Sequence, residues 1–484
     1  MTEAELDKIM QMSSVAIIAP AGHGKTEMIA DIVERSTGKL LLLTHTNAGV
    51  DAIDKRLKKR KIPATKYTVT TIAAFCIKWC VSYDNTACFN KTLSPLNRGE
   101  AKAYYAQLYR GAKKIFETAW AGSVLKATYA GVVVDEYQDC IQAQHEIMLA
   151  MNRHLPIRVL GDPMQGIFSF AGSLVDWNKL EFPKVNVATL PWRWSNCNPE
   201  LGRYLMTVRE SLLPALTKQC CKIQIDPENK NVEVVSPTNF TGYSHLKELS
   251  QFSSVVYIVQ WPKQQLDFCA RMPGIFQYDE KQDCDELFNH AKLFDSKNKS
   301  ELALAVIKFA AECSTGIGKE LKSYIDKLKI NSFDFSLIKK NTDFRDIIEE
   351  TAPDLTKETA LKMLMWFSSN PAFKQYRTEL LSEMIRSIKY AIDHDMSIFD
   401  AANHIRKDLG LQKRYTGFKF LSSRTLLSKG LEFDCVIIDM TTPLSAKDFY
   451  VAMTRAEDEL DIIYIDGGSR HQKRSRYVQE LITV

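Results

Sequence analysis

Short apolar runs without polar alternation limit how this chain can fold more than any other feature. Towards the N-terminus they are SSVAIIA, KLLLLTH, KYTVTTI, AGVVVDE and IRVLGD; towards the C-terminus they are FKFLSS, DCVIID and LDIIYID. A strand with one wet face alternates apolar and polar residues. Runs such as these belong instead to strands covered on both faces, as in a parallel sheet. Helical stretches separate them, at 25–36 after the first run and 47–60 after the second, which fits βαβ crossovers. Two regions break the rhythm. Residues 81–124 turn polar and then helical, around AKAYYAQLYRGAKKIF, and residues 284–412 are helical in pattern almost throughout. Two α/β parallel-sheet domains are therefore expected, each interrupted by a helical insertion. The first covers 1–80 and 125–195 around an insertion at 81–124, and the second covers 196–283 and 413–484 around an insertion at 284–412.

At 484 residues the chain has room for two to four compact units. Hydrophobic residues at 45% and charged residues at 25% exclude a disordered or collagenous chain. A net charge of +5, from 63 basic against 58 acidic residues, is too small to mark a nucleic-acid binder by itself. The 11 cysteines form no CxxC pair, the closest being Cys76 with Cys80 and the adjacent Cys220 and Cys221. Buried free thiols in a reducing compartment are the expectation. No apolar run approaches the ~18–20 residues that span a bilayer. The acidic start, MTEAELDKIM, lacks the basic-then-apolar order of a secretory signal. A soluble, cytoplasmic protein with no membrane contact is expected.

Ala19-Pro-Ala-Gly-His-Gly-Lys-Thr26 follows the run VAIIA directly and precedes a helical stretch. This is the pattern of a P-loop, with alanine in place of its first glycine. Small residues let consecutive backbone N–H groups wrap a β-phosphate, Lys25 reaches the β- and γ-oxygens, and Thr26 ligates Mg²⁺. Ala21, Gly22, His23, Gly24, Lys25 and Thr26 are thus candidate nucleotide-binding residues. The matching acidic half is Gly131-Val-Val-Val-Asp-Glu136, an apolar run ending in two carboxylates. Asp135 would hold the Mg²⁺ hydration shell and Glu136 would polarise the attacking water as general base. Together the two segments imply hydrolysis of a nucleotide, with ATP and Mg²⁺ as the expected cofactors.

The residues after Glu136 carry a resemblance. Asp135-Glu-Tyr-Gln-Asp139 resembles the DEYQD box of superfamily-1 helicases of the UvrD, Rep and PcrA kind. Further segments follow in the same order as in that family. AGHGKT resembles its first motif, and Thr44-His-Thr-Asn47 with AGVDAIDKRL its TFTNKAAxEMxxRL segment. Gly161-Asp-Pro-Met-Gln-Gly-Ile-Phe-Ser-Phe170 resembles its GDxxQSIYxW segment, and Trp192-Arg193 the aromatic-Arg pair of its NYRS box. Lys429-Gly-Leu-Glu-Phe433 and Tyr450-Val-Ala-Met-Thr-Arg-Ala-Glu457 resemble its last two motifs.

The resemblance implies two RecA-like domains that close on ATP, and translocation 3′ to 5′ on single-stranded DNA. It also implies roles. Gln165 would sense the γ-phosphate and the water. Arg193 and Arg455 would be arginine fingers reaching over from the facing domain. Trp192 would stack on adenine, and Glu432 would contact the ribose or the phosphate end. Thr44, His45 and Asn47 lie in a segment the family turns to DNA, and Phe168 and Phe170 fall where it places base-stacking aromatics. Lys55, Arg56, Lys58, Lys59, Arg60 and Lys61 form the densest basic run, suited either to a phosphate backbone or to a helix C-terminus.

Several positions depart from the family. Gln11 stands too close to the P-loop to be its adenine-reading glutamine, His45 replaces the aromatic of TFTN, Ala171 replaces an arginine, and Leu426 replaces a histidine. The chain is short for that family, with compact insertions at both usual places, and in this it resembles the UvrD-like subunit of the Gabija anti-phage system, which works beside an OLD-type nuclease-ATPase. Such a partner is therefore expected, since no nuclease constellation or metal cluster is legible here. The alternatives are a solitary DNA-repair helicase and a nucleotide-gated sensing subunit.

Overall fold

Leu40–Leu43 shows why the apolar runs are continuous: Leu41 and Leu43 point into one core and Leu40 and Leu42 into another, on the opposite face of the same sheet. The computed structural model describes residues 2–93, 98–168, 172–187, 190–217, 222–224, 232–235, 243–280, 285–295, 299–351, 355–409, 418–463 and 481–483. The chain forms two compact units. The first comprises Met1–Val232, Leu444–Glu459 and Gln472–Val484, and the second Glu233–Pro443 and Leu460–His471.

The first unit is built on β1 (Ser14–Ile18), β2 (Leu40–Thr44), β3 (Tyr67–Thr71), β4 (Gly131–Val134), β5 (Ile157–Gly161) and β6 (Lys184–Asn186). Their order is β3-β2-β4-β5-β1-β6, and every pairing is parallel. One strand, β5, separates the strand before the P-loop from the strand before Asp135. On one face the helices Lys25–Arg35 and Asn47–Lys59 bury Met28, Ile29, Ile32, Ile53 and Leu57. On the other face the helices Ile72–Ser82, Arg98–Phe116 and Gln142–Asn152 pack Phe75, Trp79, Leu108, Phe116 and Ile147 against the sheet. The insertion expected at 81–124 thus shares the core of the sheet. A short antiparallel pair, β7 (Lys222–Gln224) with β16 (Leu481–Thr483), also lies in this unit.

Three residues of the basic run pair with carboxylates of this unit. Arg56 pairs with Glu27 at 3.2 Å, Lys58 with Asp54 at 2.6 Å, and Arg60 reaches Glu27, Asp31 and Glu34. Arg56 and Arg60 clamp the end of the helix Asn47–Lys59 to the acidic side of the helix Lys25–Arg35, while the Lys58–Asp54 pair stays within the former helix.

The second sheet contains β8 (Val232–Val235), β9 (Val255–Val259), β10 (Gln277–Tyr278), β13 (Phe420–Arg424), β14 (Phe433–Asp439) and β15 (Ala456–Ile463), in the order β10-β13-β9-β14-β15-β8. Its pairings β10–β13, β13–β9 and β9–β14 are parallel. Between β10 and β13 lies a helical block with its own core, running from Leu287 to Ala402, and a small ribbon of β11 (Ser314–Thr315) and β12 (Lys374–Gln375). The architecture is the expected pair of parallel-sheet α/β units carrying added helices.

Arg377 fastens the helical block to its sheet. Its guanidinium donates to Glu280 through Nε at 2.6 Å and Nη2 at 2.7 Å, reaches Glu286, and lies 4.7 Å from the Tyr278 ring centroid. Burial pushes the Glu280 carboxyl up, against the pull of Arg377. Arg377→Met strands that carboxylate in the interior and is expected to cost about 3–5 kcal/mol of unfolding free energy. Adding Glu280→Leu recovers much of the loss, because no unpaired charge remains. Denaturant titration of the two variants measures both effects.

Candidate nucleotide site

The P-loop joins β1 to the helix Lys25–Arg35. Gly24 caps that helix in the left-handed region, φ 77°, and no side chain caps it, so the first-turn N–H groups keep an anion-binding geometry. Gly22 is also left-handed, φ 70°, and a Cβ there would come within 2.6 Å of the Trp194 ring. Both glycines are therefore required by conformation, and Gly22 by space as well. Ala21 and His23 are buried. Burial, with the charges of Lys25 and Arg209, holds His23 below its ordinary pKa against its 2.8 Å bond with the Ala21 carbonyl, which leaves the imidazole neutral. Lys25 Nζ lies 3.5 Å from the Ala19 carbonyl, and Thr26 follows it in the first helical turn.

Asp135 and Glu136 emerge from the end of β4. Asp135 is buried, and its Oδ1 accepts no hydrogen bond among the described residues. Burial first, and then neighbouring Glu136, raises its carboxyl well above the usual range, with Lys25 opposing. A buried carboxylate oxygen without a donor, beside a cationic lysine and a second carboxylate, fits a divalent cation. Glu136 takes φ 51°, a left-handed turn unusual for a residue with a side chain. Gln138 Nε2 donates to its Oε2.

The side chains that the sequence places at other points converge on Asp162, just after β5. Asp162 is fully buried. Its carboxylate accepts from Gln165 Nε2 at 3.2 Å, Met164 N at 3.2 Å, Arg209 Nη2 at 3.0 Å and the Tyr450 hydroxyl at 2.9 Å. Burial would raise this carboxyl, but Arg209 and Lys25 outweigh it and hold the group ionised. The Tyr450 hydroxyl in turn accepts the Ala21 N–H at 3.2 Å, and Gln138 Oε1 accepts the Asp162 N–H at 3.1 Å. Arg209, Tyr450 and Asp162 had no assigned role in the sequence reading. One signal was available: Arg209 falls on the buried stripe of its helix, Pro199–Leu212, among Leu201, Leu205, Val208 and Leu212.

Trp192, Arg193 and Trp194 form a short turn against the P-loop. Arg193 N donates to the Gly22 carbonyl at 3.1 Å, and its Nη1 donates to the Thr454 carbonyl at 2.6 Å. Trp192 is 55% exposed beside Gly24, open to a planar ligand, whereas Trp194 is fully buried and donates to the Ala456 carbonyl at 2.7 Å. Arg455 is buried, with Nε on the Val451 carbonyl at 3.0 Å and Nη2 on Thr454 Oγ1 at 3.1 Å. The sequence groups residues 413–484 with the second sheet and has Arg455 reach over from a facing domain. Leu444–Glu459 groups with the unit of the P-loop, bonded there through Tyr450, Thr454 and Ala456, while its last residues, Ala456–Glu459, begin the strand β15 of the second sheet. Glu432 lies in the second unit, exposed just before β14.

Of the nucleic-acid candidates, Thr44 is buried at the end of β2, His45 is half-buried with Nε2 3.5 Å from Cys140 Sγ, and Asn47 is exposed in the first turn of its helix. Phe168 is half-buried. Gly166 and Ile167, just before it, line a cavity of about 520 Å³ with Leu174, Ser445 and Lys447. Phe170 and Ala171 lie outside the described residues. No helix among the described residues is long and apolar enough to cross a membrane.

A family model described as an AAA domain matches residues 2–171, which include the P-loop, the Asp135–Glu136 pair and Asp162. No curated protein matches the chain. Two solved structures of an arterivirus helicase, nonstructural protein 10, are similar to it, each with a TM-score of 0.33. The first, a complex with DNA, has 12% identity over 96% of this chain, and the second has 11% over 96%. The chain spans 63% and 62% of their respective lengths.

Proposed function

We propose that this chain is an ATPase of the superfamily-1 helicase kind, stimulated by single-stranded DNA and moving along it 3′ to 5′. What carries this function is the gathering, at the C-terminal ends of β1, β4 and β5, of a P-loop, an adjacent Asp–Glu pair and Gln165 about one buried carboxylate. The AAA-domain match over residues 2–171 supports the nucleotide half, and the motif order supports the nucleic-acid half.

ATP with Mg²⁺ fits the residues present. The uncapped helix N-terminus and the two left-handed glycines hold phosphate oxygens, and Lys25 adds a point charge to them. Thr26 and Asp135 hold the metal, and Trp192 offers an open ring to the base. Bound Mg²⁺ supplies positive charge that offsets the charge of the phosphates. Glu136 accepts the proton of the attacking water, oriented by the Gln138 amide, while Gln165 reads the state of the site. Arg193 and Arg455 supply the guanidinium charge. The partnership with an OLD-type nuclease-ATPase in anti-phage defence, like the cytoplasmic location, is carried by the sequence resemblance alone.

Phosphate release measured with and without single-stranded DNA tests the central claim, and a rise with DNA is expected. Hydrolysis indifferent to single strands would leave a nucleotide switch rather than a motor. The DNA contact has its own test. Phe168→Ala should weaken single-strand binding by about 1–3 kcal/mol with little dependence on base sequence. Affinity should also fall steeply with salt as phosphate contacts release counterions. Normal binding combined with earlier melting would instead make Phe168 a core residue.

A further inference from the structure

The Asp162 carboxylate is the meeting point of three segments far apart in the chain. Gln165 approaches from its own turn, Arg209 from the helix Pro199–Leu212, and Tyr450 from the helix Ala446–Met453. Arg209 alone would compensate the buried charge, so charge balance does not explain the tyrosine. Its hydroxyl bonds twice: it donates to Asp162 and accepts the Ala21 N–H. The orientation of a P-loop amide is thereby fixed by a side chain 429 residues away. From the other side, the Asp162 N–H donates to Gln138, whose amide donates to Glu136. One buried residue therefore joins the P-loop backbone, Gln165 and the proton acceptor, and it is held from the side by Arg209 and Tyr450.

We infer that Tyr450 and Arg209 are positioning residues that act through Asp162, coupling displacement of the P-loop at Ala21 to the placement of Gln165 and Glu136. This rests on the site being an ATPase. A shift of the loop at Ala21 moves the Tyr450 hydroxyl, and with it the carboxylate that Gln165 also uses. The connection is short and dry, since Asp162 and Tyr450 are both fully buried, so water does not substitute for a lost bond.

The experiment uses the full chain with Tyr450→Phe, which removes one oxygen atom, and Arg209→Lys, which keeps the charge but not the fork. Three quantities are measured: affinity for a fluorescent, non-hydrolysable ATP analogue, single-turnover hydrolysis, and hydrogen exchange of residues 157–165 with and without the analogue. For Tyr450→Phe we expect affinity within about threefold of the parent and turnover lower by about 10–100-fold, the effect of losing both hydrogen bonds of the hydroxyl. The protection that the analogue confers on 157–165 should be lost. Arg209→Lys should move turnover and protection in the same direction with a smaller amplitude, and it decides the matter alone if the phenylalanine variant does not fold. Normal turnover and protection overturn the inference. So does a parallel fall of affinity, turnover and melting temperature, which would mark the pair as structural. If the parent chain binds the analogue but hydrolyses no ATP, the functional reading fails, and the exchange measurement still judges the connection.

Discussion

Glu136→Gln is expected to bind nucleotide like the parent chain and to lose hydrolysis by about 10²–10⁴-fold. The amide keeps the length and shape of the side chain but cannot take a proton from water. Its carbonyl oxygen can still accept from Gln138 Nε2, as the carboxylate does now, so the turn at φ 51° should persist. The Asp162 N–H bond to Gln138 at 3.1 Å should also survive. Loss of turnover without loss of structure is therefore the signature. Phosphate release under saturating single-stranded DNA, with analogue affinity measured in parallel, checks it. Near-normal turnover would remove Glu136 from the chemistry. Lys25→Ala is the informative contrast: it deletes the cation facing the phosphates, so affinity and turnover should fall together.

What could be read in the sequence was local. The P-loop needs left-handed backbone at Gly22 and Gly24 within a few residues of a strand end, and that demand leaves a contiguous string. The carboxylates after β4 were legible for the same reason: a buried strand that ends in Asp-Glu has little else to do with them. The doubly covered sheet was legible because two apolar faces erase the alternation of a strand, as Leu40–Leu43 does.

Contacts across sequence distance were not legible. Nothing near Tyr450 points to Ala21, and the only local sign of Arg209 is its place on the buried stripe of its helix. The basic run lies at a helix C-terminus, one of the two readings it allows, but its acidic partners Glu27, Asp31 and Glu34 sit on the preceding helix, roughly thirty residues earlier, where the sequence does not point to them. Residues 444–459 follow strands of the second sheet in the chain but are held by side-chain bonds of the first unit.

That placement sharpens what the two arginines do. Both are anchored at one residue: Arg193 Nη1 on the Thr454 carbonyl at 2.6 Å, and Arg455 Nη2 on Thr454 Oγ1 at 3.1 Å. Arg193 also fixes the loop itself, since its N–H donates to the Gly22 carbonyl at 3.1 Å. A guanidinium delivers charge to a transferring phosphoryl group through a rigid planar fork, which a lysine cannot imitate. Arg193→Lys should therefore lower turnover by about 10³-fold or more while leaving nucleotide affinity nearly intact, because the backbone bond to Gly22 remains. Arg455→Lys tests the second finger. It removes the donations to Val451 and Thr454 as well as the fork, so some loss of melting temperature should accompany a comparable loss of turnover. Steady-state hydrolysis, analogue affinity and thermal unfolding of both variants separate the cases. If Arg455→Lys loses affinity, turnover and stability in proportion, Arg455 is a structural tie. If Arg193→Lys turns over normally, the guanidinium at the P-loop takes no part in the reaction and the finger lies elsewhere.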